Sequence, residues 1–465
     1  MDAPPDPRRP AFPASAAWVW GLFSVGLGAS TLFWTRQAIG GDQLNLLARG
    51  WLLAVDGRWI PYGNPMSTGG VTPGGLTSLL VGLPLMAWRD YRAPGLVILL
   101  FHVLAFLILD RSLAPILAPR ERVLFVLFYW LNPWRVFFSG YLWNPNYLCL
   151  FGAVHLATAL RLRRRAGALD SFVHAACLAL AFEVHASFLL LVVASALLLW
   201  RRYLNLHWPA AIAGALVGSL PLVPWAIAAL HDPQIATGNR GFLGRGLLLV
   251  FPVLRGILYL FRYVSLTVAG KMDPFDFTTS LGTAADRWLR PLLFAATELV
   301  GPATILAPFL AWLWLRRRHR GQALKPLPVE ASDRDWLDGY LLWSFVAAAV
   351  VFGLSPTTIM YWQGLILFHV AVLPVVLWLG ALLDGPRAAW AARGALAYAG
   401  LALFVLFGMA FGSPYYRCGG KEPLRLPLRY DHPMLHELGI QQSCPMPLDD
   451  PDGWWPDVLP RPVGR

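Results

Sequence analysis

Long apolar runs separated by short charged loops dominate the chain. They fall at about 16–34, 74–88, 93–109, 122–140, 145–160, 171–200, 209–230, 247–270, 291–315, 336–354, 361–383 and 394–412. A helix that crosses a bilayer needs about 20 predominantly apolar residues, so most of these runs are long enough to span. The first is too long for a signal-peptide core and lacks a small-residue cleavage site, which makes it an uncleaved span. Arginine sets the direction, because cytoplasmic loops collect Lys and Arg. The stretches Arg161-Leu-Arg-Arg-Arg165, Arg201-Arg202 and Arg316-Arg-Arg-His-Arg320, with Arg8 and Arg9, go to the cytoplasmic side.

Parity places the rest. The run at 74–88 is short and interrupted by Gly74, Gly75, Gly82 and Pro84, so it is demoted to a juxtamembrane or re-entrant element. The run at 171–200 has basic flanks at both ends and is too long for one simple span. It is expected to form a helical hairpin with Glu183-Val-His185 near its outer tip. The run at 247–270 is expected to lie in or dip into the outer interface, with Arg255, Tyr259 and Arg262 at helical spacing on one polar stripe. The expectation is an all-α polytopic protein of the bacterial inner membrane with about 11 to 13 transmembrane helices. Its N-terminus is cytoplasmic and its C-terminus periplasmic. A transmembrane domain covers 1–412, with the first periplasmic loop at 35–75, and a short periplasmic tail covers 413–465.

Composition agrees and removes one class of partner. The chain is 57% hydrophobic and 14% charged, where ordinary usage is roughly 45–50% apolar and about 25% charged. An ordinary soluble protein is excluded. Lys+Arg 38 against Asp+Glu 26 leaves a formal +12, which in a soluble chain would suggest nucleic acid. Here most arginines sit in short loops between apolar runs and act as orientation signals, so no nucleic-acid partner is implied. Cys149 and Cys177 fall inside apolar runs, where cysteine is a small buried hydrophobe. Cys418 and Cys444 fall in the outer tail, where a disulfide between them would close a loop of roughly 27 residues in an oxidising compartment.

The unusual polar residues gather on the outer side. In the first loop Asp42 is placed to cap a helix in which Leu44, Leu47, Trp51 and Leu52 form an apolar stripe lying on the membrane. The glycine-rich stretch Tyr62 to Gly75 follows, where backbone can approach a ligand closely. The second loop carries Asn132, Arg135, Asn144 and Asn146 in or near membrane depth, where unpaired polar groups are expensive. Its two Asn-Pro steps end or kink helices. Glu183 and His185 add an intramembrane ionisable pair, facing differently unless the helix breaks between them. Arg240, Arg245, Arg255 and Arg262 run against the charge bias on the outer side, and arginine's fork suits an anionic phosphate. His432 and His436 with Asp431 make an unconvincing metal site. No nucleotide-binding phosphate loop occurs.

The order of these features resembles the GT-C superfamily of membrane glycosyltransferases, in particular the bacterial branch of protein O-mannosyltransferase-like and aminoarabinose-transferase-like proteins. The likeness is carried by Gly41-Asp42-Gln43 with Pro73-Gly74, by Leu131-Asn-Pro-Trp134 with Trp143-Asn-Pro-Asn146, by Phe182-Glu-Val-His-Ala-Ser187, and by Tyr361 to Pro374. The resemblance implies a GT-C-like bundle with periplasmic juxtamembrane helices in the first loop. It also implies transfer of a sugar from a polyprenyl-phosphate donor to a periplasmic lipid, glycan or protein acceptor. Carried over by position, Asp42 is the catalytic carboxylate and Asn144 stands where many relatives have a second acidic residue. His185, Glu183, Arg240, Arg245, Arg255, Arg262 and Tyr361 are the candidate substrate-binding residues. Gln43 and Asn144 replace carboxylates that a divalent cation prefers, so no cofactor is assigned and a metal is not supported by the sequence. The rival readings are a transporter or flippase for a lipid-linked saccharide, and a catalytically silent scaffold of the same fold.

Overall fold

The computed structural model describes residues 12–37, 39, 41–65, 70–232, 235, 250–268, 283–319, 331–355, 359–411, 432–440 and 456–460. The molecule is an all-α bundle whose only sheet among the described residues is a two-stranded hairpin in the first loop. Arg240, Arg245, Cys418 and Cys444 lie outside the described residues.

The first run forms α1 (Ala16–Thr35). The loop that follows holds α2 (Gly41–Asp56) and a hairpin of β1 (Tyr62–Pro65) and β2 (Val71–Pro73), and α3 (Leu76–Ala87) comes next. α3 is short, as its glycines and Pro84 predict, and packs along α2. The two backbones approach closely: a Cβ at Gly50 would fall 2.4 Å from Val81 Cγ1. Leu44, Leu47 and Leu52 are therefore buried in protein. The apolar stripe of α2 faces α3, and the expectation that it lies on the membrane is corrected.

α4 (Arg92–Leu113) is a full-length span. The run expected at 122–140 is interrupted. α5 (Pro119–Phe125) passes into a π turn at Val126–Trp130, the chain breaks at Leu131-Asn132, and α6 (Pro133–Ser139) begins at the proline. Asn132 caps α6, its Oδ1 accepting from the backbone N–H of Trp134 at 2.9 Å and of Arg135 at 3.3 Å. A 3₁₀ turn at Asn144–Tyr147 then leads into α7 (Leu148–Leu162). The expected hairpin is present as α8 (Ala168–Val184) and α9 (Phe188–Trp200), turning at His185-Ala186-Ser187. The run at 209–230 is bent by 56° between α10 (Trp208–Gly218) and α11 (Leu222–His231), where Gly218 and Pro221 remove the side chain and the donor that would keep it straight.

α12 (Val250–Arg262) packs on α15, the helix Asp333–Gly353. Between them α13 (Thr283–Phe294) and α14 (Leu306–Arg318) belong to one apolar stretch, Arg287–Arg318, relieved by a π turn at Ala295–Val300. α16 (Phe368–Leu383) is sheathed by its neighbours, and α17 (Ala388–Phe411) lies more openly. Among the described residues six helices are each long and apolar enough to cross a membrane, and the bent pair α10–α11 makes a seventh. α3 and α9 are shorter apolar helices.

Several carboxylates among the described residues are taken up by arginines. Arg334 and Arg122 hold Glu121 and Asp110, each at 2.8 Å, and Arg163 and Arg164 both reach Asp333. Asp338 is fully buried between His319 at 2.8 Å and Arg318 at 3.5 Å. Deeper in the bundle five helices meet in a buried polar knot. Ser195 Oγ lies 2.9 Å from both His155 Nε2 and His174 Nε2, His155 Nδ1 lies 2.9 Å from the Tyr340 hydroxyl, and that hydroxyl lies 3.1 Å from His369 Nε2. Thr158 closes the chain at 2.8 Å from His174 Nδ1.

Candidate active site

Asp42 falls in the first turn of α2 and not at its cap. Its carboxylate is directed outward to the second loop, where Trp143 Nε1 donates to Oδ2 at 2.9 Å, and the expected capping role is corrected. The backbone around it is held from the hairpin: Asn64 Nδ2 donates to the Asp42 carbonyl at 3.0 Å. The acid is thus exposed in its side chain and fixed in its main chain, as a general base requires.

Trp143 precedes Asn144, which opens the 3₁₀ turn and is 5% exposed. Asn144 Oδ1 is buried and has no hydrogen-bond partner among the described residues. From Trp143 a chain of largely buried aromatic rings runs through the bundle. Trp143 meets Trp362 at 4.9 Å between ring centroids, Trp362 meets Tyr361 at 4.9 Å, and Tyr361 meets Trp134 at 5.8 Å and Tyr259 at 6.2 Å. Tyr361 is pinned through its carbonyl, which accepts from the Tyr263 hydroxyl.

The chain of rings ends at the two described arginines of α12. The Arg262 guanidinium lies 5.4 Å from the ring centres of both Trp134 and Tyr259, and Arg255 lies 5.8 Å from that of Tyr259. Arg262 donates through Nε and Nη2 to the hydroxyl and carbonyl of Thr267, at 3.2 and 3.1 Å. Arg255 Nη2 reaches the Tyr259 hydroxyl at 3.5 Å and Met360 Sδ at 3.1 Å. Among the described residues neither arginine has a carboxylate within ion-pair distance. The spacing Arg255, Tyr259, Arg262 does put the three on one stripe.

Glu183 and His185 face different ways because the helix does end between them, with His185 extended at φ −165. Glu183 is buried against the turn before α3, where Gly74 has φ +84 and a Cβ would fall 2.4 Å from Oε2. Only glycine suits that close approach in the left-handed region. His185 Nδ1 accepts from the Ser187 backbone N–H at 3.1 Å, which leaves the ring proton on Nε2. α8 also contacts the Asn144–Tyr147 turn. Arg135, by contrast, is a structural group: fully buried, it donates to the Trp130 carbonyl at 2.9 and 2.6 Å and stacks on the Trp130 ring.

Three groups carry no obvious sequence signal. Trp143 and Trp362 are two indoles among 22. Gln37 ties the end of α1 to the second loop, its Oε1 accepting from the Leu142 backbone N–H at 3.1 Å. Arg49, on α2, has a fully buried side chain; burial pushes its guanidinium below the ordinary range and Asp457, 2.8 Å away, pulls it back. Burial likewise pushes the Tyr62 hydroxyl beside it up. No group of three or more His, Cys, Asp or Glu side chains able to hold a metal ion occurs among the described residues.

No protein-family profile matches the chain, and no curated protein matches it in sequence. Solved structures do. The chain is similar to ArnT from Cupriavidus metallidurans, solved with undecaprenyl phosphate bound, at a TM-score of 0.51 and 13% identity, covering 88% of this chain and 78% of that one. The apo form of the same protein aligns at a TM-score of 0.43 over 86% of this chain. An outer loop with a docked helix, an all-α span bundle and this alignment over most of both chains lead to one statement about architecture: the chain has the GT-C fold of ArnT.

Proposed function

We propose that the protein is a membrane glycosyltransferase that moves a sugar from a polyprenyl-phosphate carrier to an acceptor on the outer side of the inner membrane. The observation that carries this reading is the pair Arg255 and Arg262. They are partly buried cations resting on aromatic faces and neutral acceptors, and a continuous chain of rings joins them to an exposed carboxylate. Arg49, Arg122 and Arg334 are each matched by a carboxylate, whereas buried Arg135 is met by the Trp130 carbonyl and ring. Arg255 and Arg262 have no carboxylate in ion-pair contact among the described residues, Glu298 acting on Arg262 only from farther off, and as a pair they can seat an anion such as a lipid phosphate.

The chemistry follows from the arrangement. An acceptor hydroxyl or amine attacks the anomeric carbon and gives its proton to Asp42. The bond from that carbon to the phosphate oxygen breaks, and the electron pair leaves with the phosphate. Arg255 and Arg262 meet the added negative charge, which strengthens their hold as the bond breaks. Trp143 and Trp362 offer apolar faces between base and cations, where a sugar ring would lie. Asn144, Glu183 and His185 belong to the same proposed substrate-binding set by sequence. Arg240 and Arg245 belong to the same proposed cationic set by sequence.

The test is transfer in proteoliposomes with undecaprenyl-phosphate sugars, scoring both the glycosylated acceptor and the released lipid phosphate. Asp42→Asn is expected to lower kcat by on the order of 10²- to 10⁴-fold while the protein stays inserted and folded. Undiminished transfer by Asp42→Asn would reject the assignment of the base. Movement of the intact sugar lipid across the bilayer without transfer would favour the flippase reading.

A further inference from the structure

Two short pieces of the C-terminal tail rest on the first loop and the start of α4. Residues 432–440 lie beside α2 and the start of α4. Glu437 accepts from Trp51 Nε1 at 2.9 Å, the His432 ring meets Trp51 at 5.7 Å, and the Leu438 carbonyl accepts from the Tyr91 backbone N–H at 3.1 Å. Residues 456–460 approach the other side of the helix. Asp457 accepts from Arg49 Nη2 with both oxygens, at 2.8 and 3.1 Å, and the Val458 carbonyl accepts from Arg58 at 3.3 Å.

The second contact points along α2 toward the acid. Arg49 and Asp42 are seven residues apart, close to two full turns, so they share a face about 10 Å apart along the axis. Asn45 stands between them. Arg49 Nη1 donates to the Asn45 carbonyl at 3.0 Å, and Asn45 Nδ2 donates to the Gly41 carbonyl at 3.2 Å, at the residue just ahead of Asp42. The guanidinium also lies 5.5 Å from the Tyr62 ring on β1, the strand whose Asn64 holds the Asp42 carbonyl. Arg49 is fully buried, whereas the Asp457 side chain is 46% exposed, so the buried cation depends on a partner that comes from outside.

We infer that the tail is a strap on the active-site helix, with Arg49 and Asp457 as positioning residues that hold the first turn of α2, and with it Asp42, in register with Trp143. The inference rests on the transferase reading for its catalytic half and on the contacts alone for its mechanical half. A charged hydrogen-bond relay of this kind adds to the hold that Asn64 and Trp143 already exert on this helix end. Displacement of the acid by about 1 Å is enough to lower turnover by on the order of 100-fold.

The experiment uses the full chain in proteoliposomes with Asp457→Ala and Asp457→Asn, reading hydrogen exchange and steady-state transfer side by side. Asp457 is half exposed, so its truncation leaves no core void. Asp457→Ala is expected to speed exchange in residues 41–56 while the spanning helices stay protected. It is also expected to lower kcat by on the order of 10- to 100-fold with donor KM little changed. Asp457→Asn, which keeps an acceptor oxygen, is expected to recover part of both. Unchanged exchange in 41–56 overturns the strap. Faster exchange with full turnover overturns the positioning role. A wild-type protein that shows no transfer, yet whose α2 loosens in Asp457→Ala, supports the strap and places the failure in the transferase reading instead.

Discussion

A single indole N–H decides how Asp42 is presented. Trp143 keeps its ring between Tyr141 and Trp362 while its nitrogen reaches the carboxylate. Trp143→Phe keeps the stack and deletes the donor. A hydrogen bond to a charged group is worth about 1.5–3 kcal/mol, so kcat/KM is expected to fall by on the order of 10- to 100-fold with the fold intact. Steady-state transfer by the purified variant checks this, and an unchanged kcat/KM removes Trp143 from the site. Asp42 stands out in the sequence through the resemblance carried by Gly41-Asp42-Gln43, while spacing alone fits a helix cap equally well. Trp143 does not. An indole in an aromatic-rich loop has no pattern that separates a hydrogen-bonding role from packing, and only the fold brings it to a residue 101 positions away. Arg49 was hidden for a related reason: its partner is 408 positions distant, and no local spacing reports a pair so remote.

Helices tell a more favourable story. The hairpin at 171–200, the short α3 and the polar stripe of α12 all follow from run length, glycine content and periodicity. Breaks inside apolar runs were less visible as breaks than as prolines: Asn132-Pro133 splits one expected span, and Gly218 with Pro221 bends another by 56°. The buried knot of His155, His174, Tyr340 and His369 around Ser195 and Thr158 was invisible to periodicity, because each residue alone looks like an isolated polar group in an apolar helix. Its role in the element hierarchy is to bind α7, α8, α9, α15 and α16 at one level. Ser195→Ala strips one partner from each of two buried imidazoles at almost no change in volume. It is expected to cost about 1–3 kcal/mol, read as a lowered unfolding temperature in detergent with transfer activity retained below it. An unchanged unfolding temperature would show that the knot does not hold these helices together.

For the whole molecule, the arginines keep different company. Some meet carboxylates directly: Asp110, Glu121, Asp333 and Asp338 in one region, Asp457 and Asp90 at the first loop and the start of α4. Arg255 and Arg262 meet rings and neutral acceptors, with Glu298 acting on Arg262 from farther off. Composition could announce the excess of positive charge but not this division, which needs a knowledge of which carboxylates the fold brings to which cations. Arg255→Gln and Arg262→Gln are expected to weaken undecaprenyl-phosphate binding by about 10- to 100-fold each, the value of a charge-assisted contact. Protein insertion is expected to be unaffected. Titration of the purified protein with the lipid phosphate measures it, and wild-type affinity in both variants would move the phosphate site elsewhere.

The contact between Arg49 and Asp457 also sets a timetable. Chains grow at about 5–20 residues per second, and 408 positions separate the two residues, so α2 stands for about 20–80 seconds with a cation whose counter-ion has not yet been made. During that interval every span must be threaded while the helix that carries Asp42 is still unfinished. The Arg49–Asp457 pair can form only after every span between the two residues has been made.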